Sequence, residues 1–318
     1  MPRVHGESWP RFKEGGCVFK NVMVYRVDAG WPSATDVLEE ALEGLRFVPC
    51  SATQDKAVGW VEPRGHAHGP LVEVVDGQWI LRLMVEVKVV PSSVVKRKLQ
   101  EQVDQIEATT GRKPGKKERR TLADDIRLGL LPLAFSKQYA VQVWVDPKSG
   151  LLITDAGSTA KADQVMTSLV QAIDGLVVRL LHTQTSPQAA MAHWLSSREA
   201  PLGFSVEREC ELKATDESKA VVRYARHALD TDEVAQHIAQ GKLPTRLALT
   251  WNDRVGLVLT ESLQIKKLAF LDSVFESVGT SQVQEDEFDA NVAIATGELR
   301  QLLPALIEAL GGEEVIPG

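Results

Sequence analysis

The residues of this chain best suited to binding a charged partner are concentrated in one short stretch, GRKPGKKERR at 111–120. Six of its ten residues are basic and one is acidic, whereas the whole chain has a formal net charge of −7. Basic side chains at this density can hold a polyanion, while an acidic remainder keeps a protein soluble and limits indiscriminate binding. The stretch therefore predicts a polyanion-binding surface, with an ordinary solvated helical surface as the alternative.

The excess of positive charge extends upstream of this stretch. Residues 96–120 carry nine basic and four acidic side chains, a net charge of +5, so that the rest of the chain carries −12. Contacts from such side chains to phosphates position a protein without reading sequence. The candidates are Lys96, Arg97, Lys98, Arg112, Lys113, Lys116, Lys117, Arg119 and Arg120.

Carboxylates in the first third of the chain allow a catalytic alternative. Glu73, Asp76, Glu86 and Lys88 follow the order of a metal-dependent nuclease, in which carboxylates hold a divalent metal and a lysine assists attack on a phosphodiester. Glu86 and Lys88 are two residues apart in a strand-like segment, so their side chains should share one face. Because VEVKVV is also typical of any half-exposed strand, the nuclease remains the alternative to a binding function. A third hypothesis is a protein-interaction scaffold whose basic tip binds an acidic partner.

Other signs of metal or cofactor chemistry are weak. His66 and His68 in GHAHG could supply two metal ligands, but no nearby Cys, Asp or third His completes a site, so we expect a surface loop. Cys17, Cys50 and Cys210 are odd in number and widely spaced, which favours buried thiols over a disulfide framework or a zinc site. Since no nucleotide-binding or hydrolase motif occurs either, nucleotide hydrolysis and the common hydrolase mechanisms lack support, and we predict no metal and no cofactor.

The composition is that of a soluble globular protein, with 318 residues of which 44% are hydrophobic and 25% charged. The longest apolar stretch, residues 71–90, is interrupted by charges and does not approach the ~18 to 20 apolar residues of a membrane span. The N-terminal residues lack the apolar core of a signal peptide. We therefore expect a cytoplasmic protein with no membrane partner.

Helical patterns place the basic stretch at the end of a hairpin. One apolar periodicity begins after Pro91 with a serine cap and ends at Gly111. A second runs from about Lys116 to Leu131 and ends at Pro132. Because the intervening RKPG is a turn signal, the two helices should form an antiparallel pair whose tip carries the cations.

Strand and helix patterns alternate elsewhere without a regular βαβ rhythm. Strand patterns cover 19–27, 79–90 and 140–156, with helices at 33–47, capped by a serine or threonine, and at about 159–173. Further strand patterns are GFSVERECELKA, VVRYARHAL and the stretch 246–271, separated by the helix DTDEVAQHIAQG and followed by the helix ELRQLLPALIEALGG.

These patterns predict an α+β fold with mixed, mostly antiparallel sheets and a projecting helical hairpin, or finger. The chain divides into five segments. They are a loose N-terminal extension at 1–16, a first α/β unit at 17–92, the basic finger at 93–135, a second α/β unit at 136–200, and a third α+β unit with the C-terminal helix at 201–318.

Several segments together resemble a known family. FKNVMVYRV, GWVEP, VVPSSVVKRKL, LLPLAFS and the ending TGELRQLLPALIEALGGE are similar, in order and spacing, to the recombination-associated protein RdgC of bacteria, from about Phe19 to Glu313. The resemblance implies a non-catalytic, nucleoid-associated protein that binds double-stranded DNA, with single-stranded DNA as a further candidate ligand. It also implies a homodimer that closes into a ring around DNA and antagonises RecA-promoted strand exchange.

The resemblance also suggests roles for individual residues. LLPLAFS is similar to a segment at one of the family's two dimer contacts, which makes Phe135 an apolar anchor; the alternative is a helix-terminal core residue. VRYARHAL is similar to a strand that faces the DNA, which implies contacts from Arg223, Arg226 and His227. Leu133 stands where a basic residue is common in the family, and this removes one possible contact.

Overall fold

The computed structural model describes residues 19–271, 274 and 284–314. The predicted N-terminal extension at 1–16 and Cys17 lie outside these residues. Twelve strands occur in the described part of the chain. They are β1 Val22–Ala29, β2 Lys56–Val61, β3 Glu73–Val75, β4 Gln78–Val89, β5 Phe135–Asp146, β6 Leu151–Asp155, β7 Val177–Leu180, β8 Phe204–Ala214, β9 Val221–Ala225, β10 Lys242–Trp251, β11 Val255–Thr260 and β12 Ile265–Phe270.

Seven α-helices accompany the strands in the same described residues. They are α1 Thr35–Glu43, α2 Ser92–Thr110, α3 Lys116–Leu130, α4 Thr159–Ala172, α5 Pro187–Ser197, α6 Asp232–Ala239 and α7 Gln284–Ala309. The mixed α+β class that the sequence predicts is thus confirmed. No helix in the described part of the chain is long and apolar enough to cross a membrane.

All twelve strands belong to one sheet rather than several. Its main path is β2-β4-β5-β6-β1-β12-β11-β10-β8-β9, with β3 beside β4 and β7 beside β1. The strand pairs are antiparallel, as predicted. We call β2, β4, β5, β6 and β1 the N-terminal half-sheet, and β12, β11, β10, β8 and β9 the C-terminal half-sheet.

The alternation of side chains along β1 explains how the sheet separates two hydrophobic cores. Successive strand residues point to opposite faces. Met23 and Tyr25 enter a core that includes residues of α1 and α4. Val22 and Val24 enter the other core, to which α5, α6, α7 and the C-terminal half-sheet contribute.

The two helices predicted on either side of the RKPG turn are present as α2 and α3, which contact each other. α2 ends at Gly111, which has a φ of 70°, a left-handed conformation that glycine adopts without steric cost. The buried residues of these helices, Val103 and Ile126, belong to neither hydrophobic core. The pair is therefore packed mainly on itself and joins the sheet through the ends of β4 and β5.

Three local predictions are wrong. Ala34 precedes α1 and Pro91 precedes α2, so neither helix has the predicted serine or threonine cap. Ser92 is instead the first residue of α2. The strand predicted over VVRYARHAL ends at Ala225. The sequence patterns also missed β2, β3, β7 and α5. For β3 and β7 the reason is their length, since a strand of three or four residues gives little periodicity.

Candidate nucleic-acid interface

The cations at the tip of the α2–α3 hairpin are partly neutralised by neighbouring carboxylates. The Arg112 guanidinium makes a two-pronged contact with Glu118, with Nη1 2.9 Å from Oε2 and Nη2 3.2 Å from Oε1. Lys113 Nζ lies 3.5 Å from Glu107 Oε2. Both basic side chains are well exposed, so each can leave its carboxylate and bind another anion. In the free chain, however, the positive charges of Arg112 and Lys113 are already partly compensated.

The other predicted basic residues of the hairpin are exposed. Arg97 is only loosely paired, with Nε 3.9 Å from Glu101 Oε1. The residues that form no ion pair within the described part of the chain are Lys96, Lys98, Lys116, Lys117, Arg119 and Arg120. Since consecutive helical residues do not face one direction, the run 96–98 near the start of α2 cannot present all three cations to one partner.

α3 carries the more coherent basic surface. Lys116, Arg120 and Arg127 follow the spacing i, i+4, i+11, which places them along one stripe of an α-helix. All three are exposed, and we call them the α3 stripe. Asp124 lies beside the stripe and lowers its net charge. Arg127 was not among the predicted residues, although its distance of seven residues from Arg120 is a signal that the sequence already contains.

Four exposed apolar side chains mark the base of the hairpin, where α3 ends and β5 begins. Phe135 is 89% exposed and Leu133 81%, and Leu128 in the last turn of α3 and Val89 at the end of β4 are at least half exposed. Val89 and Phe135 are register partners between β4 and β5. The alternative of a helix-terminal core residue is wrong, because Phe135 begins a strand and its ring is in solvent. We call these residues the base patch.

The segment 223–227 differs from its prediction because the strand stops early. Arg226 has a φ of 57°, a left-handed conformation that cannot continue a strand, and the His227 amide then donates to Arg208 O at 3.2 Å. Arg226 and His227 therefore lie in a turn after β9, exposed to solvent. The His227 ring lies 5.4 Å from that of Tyr224, centroid to centroid.

Arg223 is in β9 as predicted, but it is not a free cation. Its Nε donates to Glu211 Oε2 at 2.6 Å, and this hydrogen bond holds the pKa of Glu211 below its ordinary value. Its side chain is nevertheless 75% exposed, so the pair lies at the surface of the C-terminal half-sheet. An arriving phosphate would compete with Glu211 for the guanidinium.

One chain does not bring its two candidate groups of cations together. The hairpin emerges from β4 and β5, whereas Arg223, Arg226 and His227 belong to the opposite edge of the sheet. Seven strand spacings separate β5 from β9, which is roughly 34 Å along a flat sheet at ~4.8 Å per strand. The two groups would therefore contact separate parts of any extended polyanion.

The four residues of the predicted nuclease do not form a site. Glu73 binds Arg64, with Nε 3.0 Å from Oε2, and is the register partner of Ile80 in β4. Glu86 is six residues further along that strand, roughly 20 Å away at ~3.3 Å per residue. Asp76 lies in the turn between β3 and β4 with a φ of 50°. A single metal ion cannot be shared by carboxylates this far apart.

Glu86 and Lys88 share one strand face as predicted, but they serve the structure there. The Cys50 amide donates to Glu86 Oε2 at 3.3 Å, and Lys88 Nζ donates to Ser51 O at 2.7 Å and to Ala52 O at 2.8 Å. Both charged side chains are buried. Hydrogen bonds, first that of Ser136, hold the pKa of Glu86 below its ordinary value. The pair thus anchors the loop at 50–52 to β4.

The remaining metal and thiol predictions concern His66, His68 and the cysteines. Both histidines are exposed in a loop between β2 and β3, as expected. Cys210 is a buried thiol whose pKa burial raises to about 12, while Cys50 is half-buried, so only the first fully matches its prediction. Among the described residues, no group of three or more His, Cys, Asp or Glu side chains could hold a metal ion.

Fold and surface together define an α+β protein with a cation-rich helical hairpin, a candidate interface for a polyanion such as nucleic acid. The family model described as "RdgC: Putative exonuclease, RdgC" matches residues 17–313, and the chain belongs to this family.

Similar curated proteins carry one name. Those of Dechloromonas aromatica, Herminiimonas arsenicoxydans and Bordetella pertussis, each called "Recombination-associated protein RdgC", are 45%, 44% and 40% identical to this chain. Each match covers 93% of this chain and 98% or 99% of the relative.

Proposed function

We propose that this protein binds double-stranded DNA without sequence preference, as a homodimeric ring that encloses the duplex and restrains RecA-promoted recombination. The observation that carries this proposal is the surface of the α2–α3 hairpin. Its cations are exposed on a pair of helices that belongs to neither hydrophobic core. They therefore contribute little to the stability of the rest of the fold. Phosphate binding gives such a surface a physical purpose.

The base patch supports a dimer. A phenylalanine that is 89% exposed beside a leucine that is 81% exposed is costly to leave in water, and aromatic anchors of this kind are typical of interface centres. A symmetric dimer brings the same patch from two chains together. The two hairpins would then flank one space, which their exposed cations would line.

A role in recombination follows from the same geometry. A ring on duplex DNA obstructs a recombinase filament without contacting the recombinase, so restraint of RecA requires no dedicated protein interface. The name of the curated relatives, which associates them with recombination, agrees with this role. Binding along the chromosome would place the protein on the nucleoid.

We further propose that the role is non-catalytic, although the family description includes the term exonuclease. The proposal rests on where the predicted carboxylates lie. Glu73 and Glu86 are roughly 20 Å apart along the β3–β4 ladder at ~3.3 Å per residue, and each is engaged in local contacts. Neither is available to hold a metal for phosphodiester attack.

Incubation of supercoiled plasmid and of linear duplex with the protein and Mg²⁺ separates the two functions, because an exonuclease acts only at a free strand end. We expect retarded DNA that runs as intact supercoils or as full-length linear duplex once the protein is removed. Nicked or degraded DNA would overturn the non-catalytic proposal, and Glu73→Gln with Glu86→Gln would then show whether these carboxylates are responsible.

The turn after β9 is tested with Arg226→Ala combined with His227→Ala. Both side chains are exposed, so the stability of the fold should change by only about ±0.5 kcal/mol while DNA affinity falls. Arg208→Ala, which removes another exposed cation nearby, is the matched control. Unchanged affinity of the double variant would remove this turn from the interface.

A further inference from the structure

The two half-sheets are joined by an unusually short seam. β1 and β12 share one pair of register partners, Val22 and Ile265, and the Leu268 amide of β12 donates to Lys20 O, two residues before β1, at 3.0 Å. By contrast, five register pairs join β1 to β6 and six join β10 to β11. A seam held by so few ladder bonds is where a continuous sheet bends most easily.

The branching of the sheet at β1 explains why the seam is short. Only the first residues of β1 are next to β12, because the edge of β1 from Tyr25 to Ala29 is occupied by β7. β7 is itself short, from Val177 to Leu180, and pairs with β1 alone. The two half-sheets therefore part from each other beyond Val22.

α7 lies over both half-sheets and is attached to each. Its apolar residues, among them Leu299 and Leu303, belong to a core shared by Trp144 and Ile153 of the N-terminal half-sheet and by Leu249 and others of the C-terminal half-sheet. This burial holds the helix in place. Because apolar contact is non-directional, it does not by itself fix the angle between the two half-sheets.

Ion pairs, which are directional, join α7 to each of the two half-sheets. Glu298, which is 6% exposed, binds Arg254 between β10 and β11, with Oε2 3.0 Å from Nε and a second contact to Nη2. Two residues later, Arg300 Nε lies 3.3 Å from Asp146 Oδ2 at the end of β5. One turn of α7 is thus tied to the C-terminal half-sheet by one charge and to the N-terminal half-sheet by the next.

Further contacts fix both ends of the helix on the N-terminal side. Near its start, Asp289 Oδ1 lies 2.6 Å from Arg64 Nη2, and the Arg64 guanidinium lies 4.7 Å from the centroid of the Phe288 ring. After its end, Glu313 binds both Arg26 of β1 and Arg179 of β7. Glu298 is therefore the single acidic residue of α7 that the described ion pairs connect to the C-terminal half-sheet.

We propose that α7 is a strap that holds the two half-sheets at one angle, that the β1–β12 seam is the hinge beneath it, and that the Glu298–Arg254 pair is its releasable fastening. The hairpin stands on one side of this hinge and the 223–227 segment on the other. If the proposed function holds, bending at the seam changes the separation of the two candidate DNA-binding groups.

Hydrogen exchange of the free protein, followed by NMR, tests the strap without DNA. Glu298→Gln keeps the shape of the side chain but places an amide NH₂ beside Arg254, whose exposed guanidinium can hydrate. We expect the Leu268 amide at the seam to exchange at least about tenfold faster, with amides of the β4–β5 ladder unchanged. Glu211→Gln removes a comparable arginine partner within the C-terminal half-sheet and should leave the seam at its wild-type rate.

Arg300→Gln provides a second variant, because releasing either side of the strap should free the same hinge. It should accelerate the seam in the same way, and the double variant with Glu298→Gln should exceed the larger single effect by less than about twofold. Unchanged exchange of Leu268 in both single variants would overturn the proposal. So would equal acceleration of the seam and the β4–β5 ladder, which indicates general destabilisation. Because DNA is absent, either failure is separate from a failure of DNA binding.

Discussion

Replacement of Phe135 by serine gives a large and specific expected effect. The ring is 89% exposed in the single chain, so nearly all of its apolar surface is available to a partner. Full burial of a phenylalanine is worth about 1.5 to 3 kcal/mol, and the variant should therefore weaken a dimer contact by roughly 2 kcal/mol for each copy of the residue. That amount corresponds to roughly a 30-fold change in an equilibrium constant for each copy, and to roughly 1,000-fold for the two copies at a symmetric contact.

The same substitution should leave the fold intact. Exposed positions usually change the free energy of unfolding by about ±0.5 kcal/mol, so the thermal midpoint should stay near that of the wild type. Leu202→Ser is the control, because Leu202 is 99% exposed but lies on a loop before β8, away from the base patch. It should change neither stability nor assembly.

Retention on circular DNA measures the contact. Complexes formed on closed circles and on linear duplex of equal length are challenged with salt, and protein that stays bound is counted. We expect Phe135→Ser to lose its retention on circles while keeping its affinity for short linear duplex at low salt. A clearly lowered thermal midpoint, or full retention on circles, would refute the assignment of Phe135 to the ring closure.

Three further predictions concern the cations and the C-terminal contact. DNA affinity should fall with salt at a log–log slope of about −0.9 for each phosphate contacted, whereas a flat salt dependence would contradict phosphate binding. Alanine at Lys116, Arg120 and Arg127 should reduce affinity more than alanine at the paired Arg112 and Lys113, and equal losses would refute the importance of the α3 stripe. Hydrogen bonds, first from Arg26 and then from Arg179, hold the pKa of the Glu313 carboxyl below its ordinary value, so its stabilisation is fully present above the pKa of an unfolded glutamate and is lost as the pH falls through the lower pKa of the folded state. Glu313→Gln should therefore lose less thermal stability on acidification than the wild type, and an identical acid profile would contradict this.

The hairpin could be predicted because its signals are local. Gly111 ends α2 with the positive φ expected of a helix stop, the RKPG turn follows, and apolar spacing defines the inner face of each helix. Most of its cations could also be predicted from the sequence, because they lie in one dense run; Arg127 lies outside that run. What the sequence could not give was their compensation, because the Arg112–Glu118 contact spans the turn and depends on how the two helices meet.

The errors arise where the outcome depends on distant residues. Strand residues continue past Ala225 in the pattern, but Arg226 adopts a left-handed turn that returns the chain to Arg208. Glu73 and Glu86 are close in sequence, yet an extended strand separates them by more than a metal site allows. The exposure of Phe135 and the short β1–β12 seam depend on which strands become neighbours, which local periodicity does not determine.

Electron microscopy of the purified protein with and without a short duplex tests the central claim most directly. Enclosure of DNA by a dimer predicts two-fold symmetric rings whose central opening admits a duplex, with the hairpins at its rim and with DNA passing through the opening when it is present. Compact particles without an opening, or single chains bound along one side of the duplex, would contradict the account.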